Sequence, residues 1–202
     1  MLNRLRSFMT TLWTPLADLL IRRGVSPDAV TITGTVGVVV MALWLVPTGH
    51  LLAGALLIAV FTLTDSLDGV MARRAGRSGP WGAFLDSTLD RFADAAIFSG
   101  LVLWFIGRGD DRATAVLALA CLVLGSVVPY ARARAEGLGM TAAVGIAERA
   151  DRLVLVLLGT FLVGLGLPVV VLTVVLALLA VASAVTVGQR VATVRRQSRA
   201  AL

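Results

Sequence analysis

The sequence predicts an all-α integral membrane protein: six transmembrane helices preceded by an N-terminal amphipathic juxtamembrane helix, with both termini cytoplasmic. Three observations predict it. Of the 202 residues, 58% are hydrophobic and the mean hydropathy is +0.92, far more apolar surface than a soluble domain can hide. The surplus must face lipid, where every backbone polar group needs an internal partner and helices are the default. Apolar runs of roughly 20 residues, the length that crosses a bilayer core, recur along the chain. The net charge of +6 is carried by arginine alone, with no lysine, and the arginines sit in short clusters between those runs. That is the distribution of positive-inside loops and points to membrane lipid, not to nucleic acid.

The elements follow in order. Over residues 1–24, Leu2, Leu5, Phe8, Met9, Leu12, Trp13, Leu16, Leu19 and Leu20 recur at helical spacing between Arg4, Arg6, Arg22 and Arg23. This predicts an amphipathic helix on the membrane surface with a break near Pro15, or a helix packed on the rest of the protein. It lacks the unbroken apolar core and small-residue cleavage site of a signal peptide. The spanning helices are expected at about 29–46, 51–74, 84–106, 113–134, 152–165 and 167–190. Residues 29–190 then make a single bundle and 191–202 a basic cytoplasmic tail, with no second domain or internal repeat.

Arginine placement orients the bundle. Arg73, Arg74 and Arg77 lie between the second and third runs, and Arg132, Arg134, Arg149 and Arg152 between the fourth and fifth. Arg190, Arg195, Arg196 and Arg199 follow the sixth. The opposite loops hold only Arg108 and Arg112 beside Asp110 and Asp111, so the first side is cytoplasmic. Cys121 is the only cysteine, which excludes an internal disulfide and a Cys-rich zinc site. His50, the only histidine, sits at a helix end and reads as a surface residue, against His-based catalysis. Gly100 and Gly125 are small residues of the kind that seat helix interfaces.

Five carboxylates break the apolar pattern where two helices meet their shared cytoplasmic loop. Asp65 and Asp68 are three apart; Asp86, Asp90 and Asp94 follow at fours, each set on one helix face. Ionisable groups at membrane depth are costly and mark functional sites. Packed together, most would have to protonate unless cations compensated them. A pair of hard divalent ions does this, and oxygen ligands without His or Cys favour Mg²⁺ or Mn²⁺ over zinc. Two such ions can clamp a pyrophosphate. The competing readings are an interface ion-paired to Arg73, Arg74 and Arg91, and a proton or cation pathway.

The spacing Asp65-x2-Asp68-Gly69-x2-Ala72-Arg73-x8-Gly82-x3-Asp86-x3-Asp90 resembles the signature of the CDP-alcohol phosphotransferase family at every position. Small residues suit it, because Gly69, Ala72 and Gly82 allow close approach of helices and a nucleotide diphosphate. The resemblance implies metal ligation by Asp65, Asp68, Asp86 and Asp90, with two Mg²⁺ ions (or Mn²⁺). It further implies that Asp90 is the base that takes the proton of the acceptor hydroxyl. Gly69, Ala72 and Arg73 match positions that hold the donor, CDP-diacylglycerol, and so does the segment Asp28, Ala29, Val30 and Thr31. Gly79, in the loop from Arg77 to Pro80, is placed with them. Asp28, just before an apolar helix, is equally an N-cap by its position. Asp94 lies outside the signature and supports the others.

Over most of its length the chain also resembles one branch of that family, the bacterial phosphatidylinositol phosphate synthases. The matching stretches are Val25 to Thr31, Trp81 to Arg91, Tyr130 to Glu136 and Glu148 to Leu153. That branch implies inositol 1-phosphate as acceptor and a homodimer. Arg132, Arg134, Arg152 and Arg190 are the candidates for binding the acceptor phosphate, since guanidinium forks pair with phosphate oxygens; the same arginines serve equally as positive-inside anchors. Two positions depart from the branch. Pro129 replaces a serine and is expected to kink its helix, and Arg132 replaces a lysine. A phosphatidylglycerophosphate synthase using glycerol 3-phosphate is the rival enzyme, but it commonly has Pro after the third signature Asp and Lys after the fourth, where this chain has Ser87 and Arg91. A non-catalytic transporter or scaffold is the reading from another class.

Overall fold

The structure, a computed structural model, describes residues 13–76 and 79–200, leaving aside the side chains of Asp65 and Ser66. All regular structure among the described residues is helical. The part of α1 that is described covers residues 13–22. It is followed by α2 (Pro27–Trp44), α3 (Leu51–Thr62), α4 (Thr64–Arg74), α5 (Pro80–Ile106), α6 (Arg112–Glu136), α7 (Arg149–Gly164) and α8 (Val170–Ala200). Four stretches are long and apolar enough to cross a membrane: α2, α3 with α4, α6 and α8. The other two expected spans are real helices of a different character. α5 is 27 residues long but carries Asp86, Asp90 and Asp94, and α7 has only 16 residues.

The core is built from residues of most of these helices, among them Ile58, Phe98, Leu101, Phe105, Val156, Leu172 and Leu176. Outward-facing Val36, Trp44, Val60, Val116, Leu178 and Val181 stay exposed, the surface that lipid would cover. Gly100 is buried against α2, where a Cβ would stand 2.3 Å from the Ala42 carbonyl oxygen. Gly125 is buried beside Arg152 of α7. Both glycines therefore serve packing inside the chain.

Two boundaries differ from the sequence expectation, and Pro129 is accommodated inside a third helix. The second apolar run is interrupted at Leu63. There the hydroxyls of Thr62 and Thr64 bond back to the carbonyls of Ile58 and Phe61, the local competition that unsettles a helix. Gly34 of α2 faces the break so closely that a Cβ would meet Thr64 Oγ1 at 2.0 Å. α8 continues to Ala200, so Arg195, Arg196 and Arg199 ride on a helix and not on a separate tail. α6 runs through Pro129 without ending. The proline has no N–H to give the Gly125 carbonyl one turn back, and Arg152 Nη2 donates to that oxygen instead, at 3.3 Å.

Residues 13–22 are helical across Pro15, while Leu2, Leu5, Phe8, Met9 and Leu12 lie outside the described residues, as do Arg77 and Ser78. Trp13, Ala17, Leu20 and Ile21 pack on Leu67, Val70 and Met71 of α4. Arg74 of α4 forks onto Asp18 at 2.6 and 2.9 Å. α1 is thus a packing helix against α4, with Leu16 and Leu19 exposed.

Candidate active site

The site forms where the N-termini of α2 and α5 meet α4. Ser26 begins α2, its hydroxyl accepting from the Ala29 N–H at 3.2 Å, and Pro27 supplies the preset first turn. Asp28 is therefore not the cap. Its carboxylate accepts from the Trp81 indole at 2.9 Å, tying α2 to the start of α5. One turn further, Thr31 Oγ1 donates to Asp68 Oδ2 at 2.5 Å. Asp68 is 7% exposed, so this bond from α2 orients a nearly buried carboxylate on α4.

These contacts frame an open cavity of about 280 Å³, lined from α2 by Pro27, Asp28 and Thr31, from α4 by Asp68, Gly69, Ala72 and Arg73, and from α5 and its lead-in by Gly79, Gly82, Ala83 and Asp86. Arg73 folds back along α4, its Nη1 only 3.5 Å from where a Cβ of Gly69 would be. A side chain of one carbon at Gly69 would therefore touch the guanidinium at ordinary van der Waals distance. Six of the eight expected donor-binding residues line this cavity. Ala29 and Val30 do not: Ala29 faces outward, and Val30 packs against the α1–α4 cluster.

The second half of the carboxylate row meets the head of α7. Asp90 Oδ1 pairs with Arg149 Nη1 at 2.7 Å, and Asp94 Oδ1 accepts from Arg149 Nε at 3.1 Å. Arg91 Nη2 stands 3.7 and 3.8 Å from the two carboxylates, and Arg152 Nη2 is 3.5 Å from Asp94 Oδ2. The ion-paired alternative thus holds at Asp90 and Asp94, though through α7. Of the partners expected for it, only Arg91 takes part; Arg73 lines the cavity and Arg74 pairs with Asp18.

Asp68 and Asp86 present carboxylates to one cavity from two helices, with no His or Cys in its lining, which suits a hard divalent cation. Among the described residues no three His, Cys, Asp or Glu side chains converge on a single point. The Asp65 side chain, the remaining expected ligand, lies outside the described residues.

The four arginines expected to bind the acceptor divide into groups. Arg132 is exposed and pairs with Glu136 at 2.9 Å, and Arg134 is exposed on the same helix end. Arg190 is 7% exposed, donating through Nε to the Val144 carbonyl at 2.9 Å and through Nη1 to that of Val128. It lies within electrostatic range of Arg132, Glu136 and Glu148. Arg152, 2% exposed, belongs to the Asp94 side.

The residue that sequence reasoning passed over is Arg149. It stood in a matching stretch as one more cytoplasmic arginine, without a role. Trp81 stood in a matching stretch without a role until the structure placed it against Asp28.

Residues 24–187 match the family model for CDP-alcohol phosphatidyltransferases. The chain belongs to that family. It is 49% identical to a phosphatidylinositol phosphate synthase of Streptomyces avermitilis over 98% of this chain and 84% of the relative. It is 47% identical to the protein of that name from Cutibacterium acnes, over 97% and 98%. Among solved structures, the Mycobacterium tuberculosis phosphatidylinositol phosphate synthase with CDP-DAG bound superposes with a TM-score of 0.88 at 43% identity, covering 91% of this chain and 94% of that one. The same enzyme in complex with manganese and citrate gives 0.87, covering 90% and 88%. As a CDP-alcohol phosphatidyltransferase with four apolar helices, this chain is a membrane enzyme.

Proposed function

We propose that this enzyme transfers the phosphatidyl group of CDP-diacylglycerol to inositol 1-phosphate, giving phosphatidylinositol phosphate and CMP. The observation that carries the reading is the shared cavity: Asp68 and Asp86 line it together with Gly69 and Arg73, while Asp90 stands one turn along α5 from Asp86. The relatives named as phosphatidylinositol phosphate synthases cover nearly the whole chain, which favours inositol 1-phosphate over glycerol 3-phosphate.

The donor's diphosphate lies in the cavity, with Arg73 offering its fork to phosphate oxygens and the tie between Trp81 and Asp28 bracing the mouth. Asp65, Asp68, Asp86 and Asp90 hold two divalent ions, Mg²⁺ or Mn²⁺, which when bound neutralise the diphosphate and polarise the phosphorus. Asp90 takes the proton of the acceptor hydroxyl as that oxygen bonds to the lipid-proximal phosphorus. The bond from this phosphorus to the bridging oxygen breaks, and CMP leaves with the electron pair. Thr31 keeps Asp68 in place throughout. Arg132, Arg134 and Arg190 supply the positive region for the acceptor phosphate, with Arg152 adding charge from the Asp94 side.

In the membrane, the six helical units α2, α3–α4, α5, α6, α7 and α8 span the bilayer with both termini and the site on the cytoplasmic side, as arginine placement favours. α1 lies along that surface, and two copies form a homodimer. CMP release from CDP-diacylglycerol by the purified enzyme tests the reading. It should require a divalent ion, stop on chelation, resume with Mg²⁺ or Mn²⁺, and be lost in Asp86→Asn. Undiminished release in excess chelator would refute it.

A further inference from the structure

We propose that Arg149 is a positioning residue that fixes the carboxylate of Asp90, and that Asp94 holds Arg149 for this task. The inference rests on the role of Asp90 proposed above. One guanidinium at the head of α7 spans two carboxylates one turn apart on α5, with Nη1 on Asp90 Oδ1 at 2.7 Å and Nε on Asp94 Oδ1 at 3.1 Å. Asp94 is itself only 7% exposed and has two further guanidinium neighbours, Arg91 and Arg152. An exposed ion pair would carry little weight. This one is largely enclosed and two-pronged, so it specifies direction as well as charge.

The place of Arg149 is set by the segment before it. The N–H groups of Ile146 and Ala147 donate to Thr186 Oγ1 at 3.2 and 3.1 Å, and Thr186 is fully buried on α8. Arg190 Nε holds the Val144 carbonyl at 2.9 Å, and Gln197 Nε2 that of Thr141 at 2.6 Å. α8 therefore pins the lead-in to α7, the head of α7 delivers Arg149, and Arg149 fixes the Asp90 carboxylate. A base displaced by a fraction of an ångström no longer meets the hydroxyl it must deprotonate.

The test compares wild type, Arg149→Gln, Arg149→Lys and Asp90→Asn, each checked for monodisperse elution. Each is titrated with Mn²⁺ by the EPR signal of the free ion and assayed for kcat and for the CDP-diacylglycerol KM. Arg149→Gln is expected to keep its donor KM within about threefold and to go on binding Mn²⁺ through Asp65, Asp68 and Asp86, with any change confined to the ion that Asp90 shares, while kcat falls by about 30-fold or more, the scale of a misplaced reacting group. Arg149→Lys should recover part of the loss, because an ammonium reaches one carboxylate where the fork reaches two. Adding Asp94→Asn to Arg149→Gln should lower kcat no further, since the two reach Asp90 through one contact; what Asp94 loses with Arg91 and Arg152 is read as stability, not as kcat.

A kcat within threefold of wild type in Arg149→Gln overturns the inference. So does loss of all Mn²⁺ binding together with kcat, which would make Arg149 a part of the fold only, and so does a further fall in kcat on adding Asp94→Asn. Asp90→Asn separates the layers: if it turns over, the base assignment itself falls, whatever Arg149 does. Should Arg149→Gln fail to elute as folded protein, Thr186→Val loosens the same segment from α8. A fall in kcat at unchanged donor KM supports the inference there, and unchanged kcat overturns it.

Discussion

Replacing Arg152 with methionine is expected to destabilise the protein chiefly through a backbone carbonyl. In an α-helix the Gly125 oxygen would accept from the N–H of residue 129, and Pro129 has none. Arg152 Nη2 takes that place at 3.3 Å. Methionine removes the donor and leaves a buried carbonyl unpartnered, at a cost of ~1–3 kcal/mol. The lost ion pair adds less. Asp94 keeps Arg149 at 3.1 Å and Arg91 at 3.8 Å, so no isolated buried charge remains and the larger penalty for breaking a buried pair does not apply in full. Removing Arg152 also removes its own buried Nε and Nη1, which have no hydrogen-bond partner.

A second substitution separates these contributions. Pro129→Ala restores an N–H to the Gly125 carbonyl, so the penalty of Arg152→Met should shrink by ~1 kcal/mol or more, the worth of one buried hydrogen bond. The assay is a double-mutant cycle on unfolding free energies measured in detergent micelles. A coupling under about 0.5 kcal/mol, the scatter of independent sites, would refute the argument that Arg152 substitutes for the missing N–H.

Other substitutions probe the remaining contacts. Arg73→Lys keeps the charge in the cavity but loses the fork, and should raise the CDP-diacylglycerol KM by roughly tenfold or more, as expected for a charge-assisted hydrogen bond worth ~1.5–3 kcal/mol; steady-state kinetics with varied donor would read this. Gly34→Ala places a methyl where Thr64 Oγ1 already stands, and overpacking of ~1–3 kcal/mol should lower stability and, because α4 carries Asp68 and Arg73, turnover with it. Asp18→Asn breaks a half-exposed pair with Arg74 and should change thermal stability little, by less than ~1 kcal/mol, with full activity retained.

The features legible in the sequence were those with a repeating physical cause. Lipid imposes long apolar runs, so the helices were visible, and the break at Leu63 was not, because it arises from two threonine hydroxyls and a glycine on another helix. Asp68 and Asp86 were legible because carboxylates at helical spacing stand out from apolar runs, while Gly69, Ala72 and Arg73 came from the resemblance to the family signature; all five line the cavity. Ala29 and Val30 were drawn in by adjacency to Asp28 and Thr31, yet helix rotation turns them away. Arg149 looked like an anchoring charge and Arg152 like an acceptor-phosphate ligand or an anchor, since nothing along the chain shows that a turn of α7 brings them against Asp90 and Asp94. Pro129 was legible as a missing N–H, but the arginine that answers it comes from 23 positions later, which only the fold reveals.

The most direct measurement is CMP release by the purified membrane enzyme with CDP-diacylglycerol and Mg²⁺, offered inositol 1-phosphate, free inositol, glycerol 3-phosphate or serine in separate reactions. The account predicts turnover with inositol 1-phosphate, a phosphatidylinositol phosphate product, and loss of both in Asp90→Asn. Turnover with glycerol 3-phosphate in place of inositol 1-phosphate, or full activity in Asp90→Asn, would contradict it.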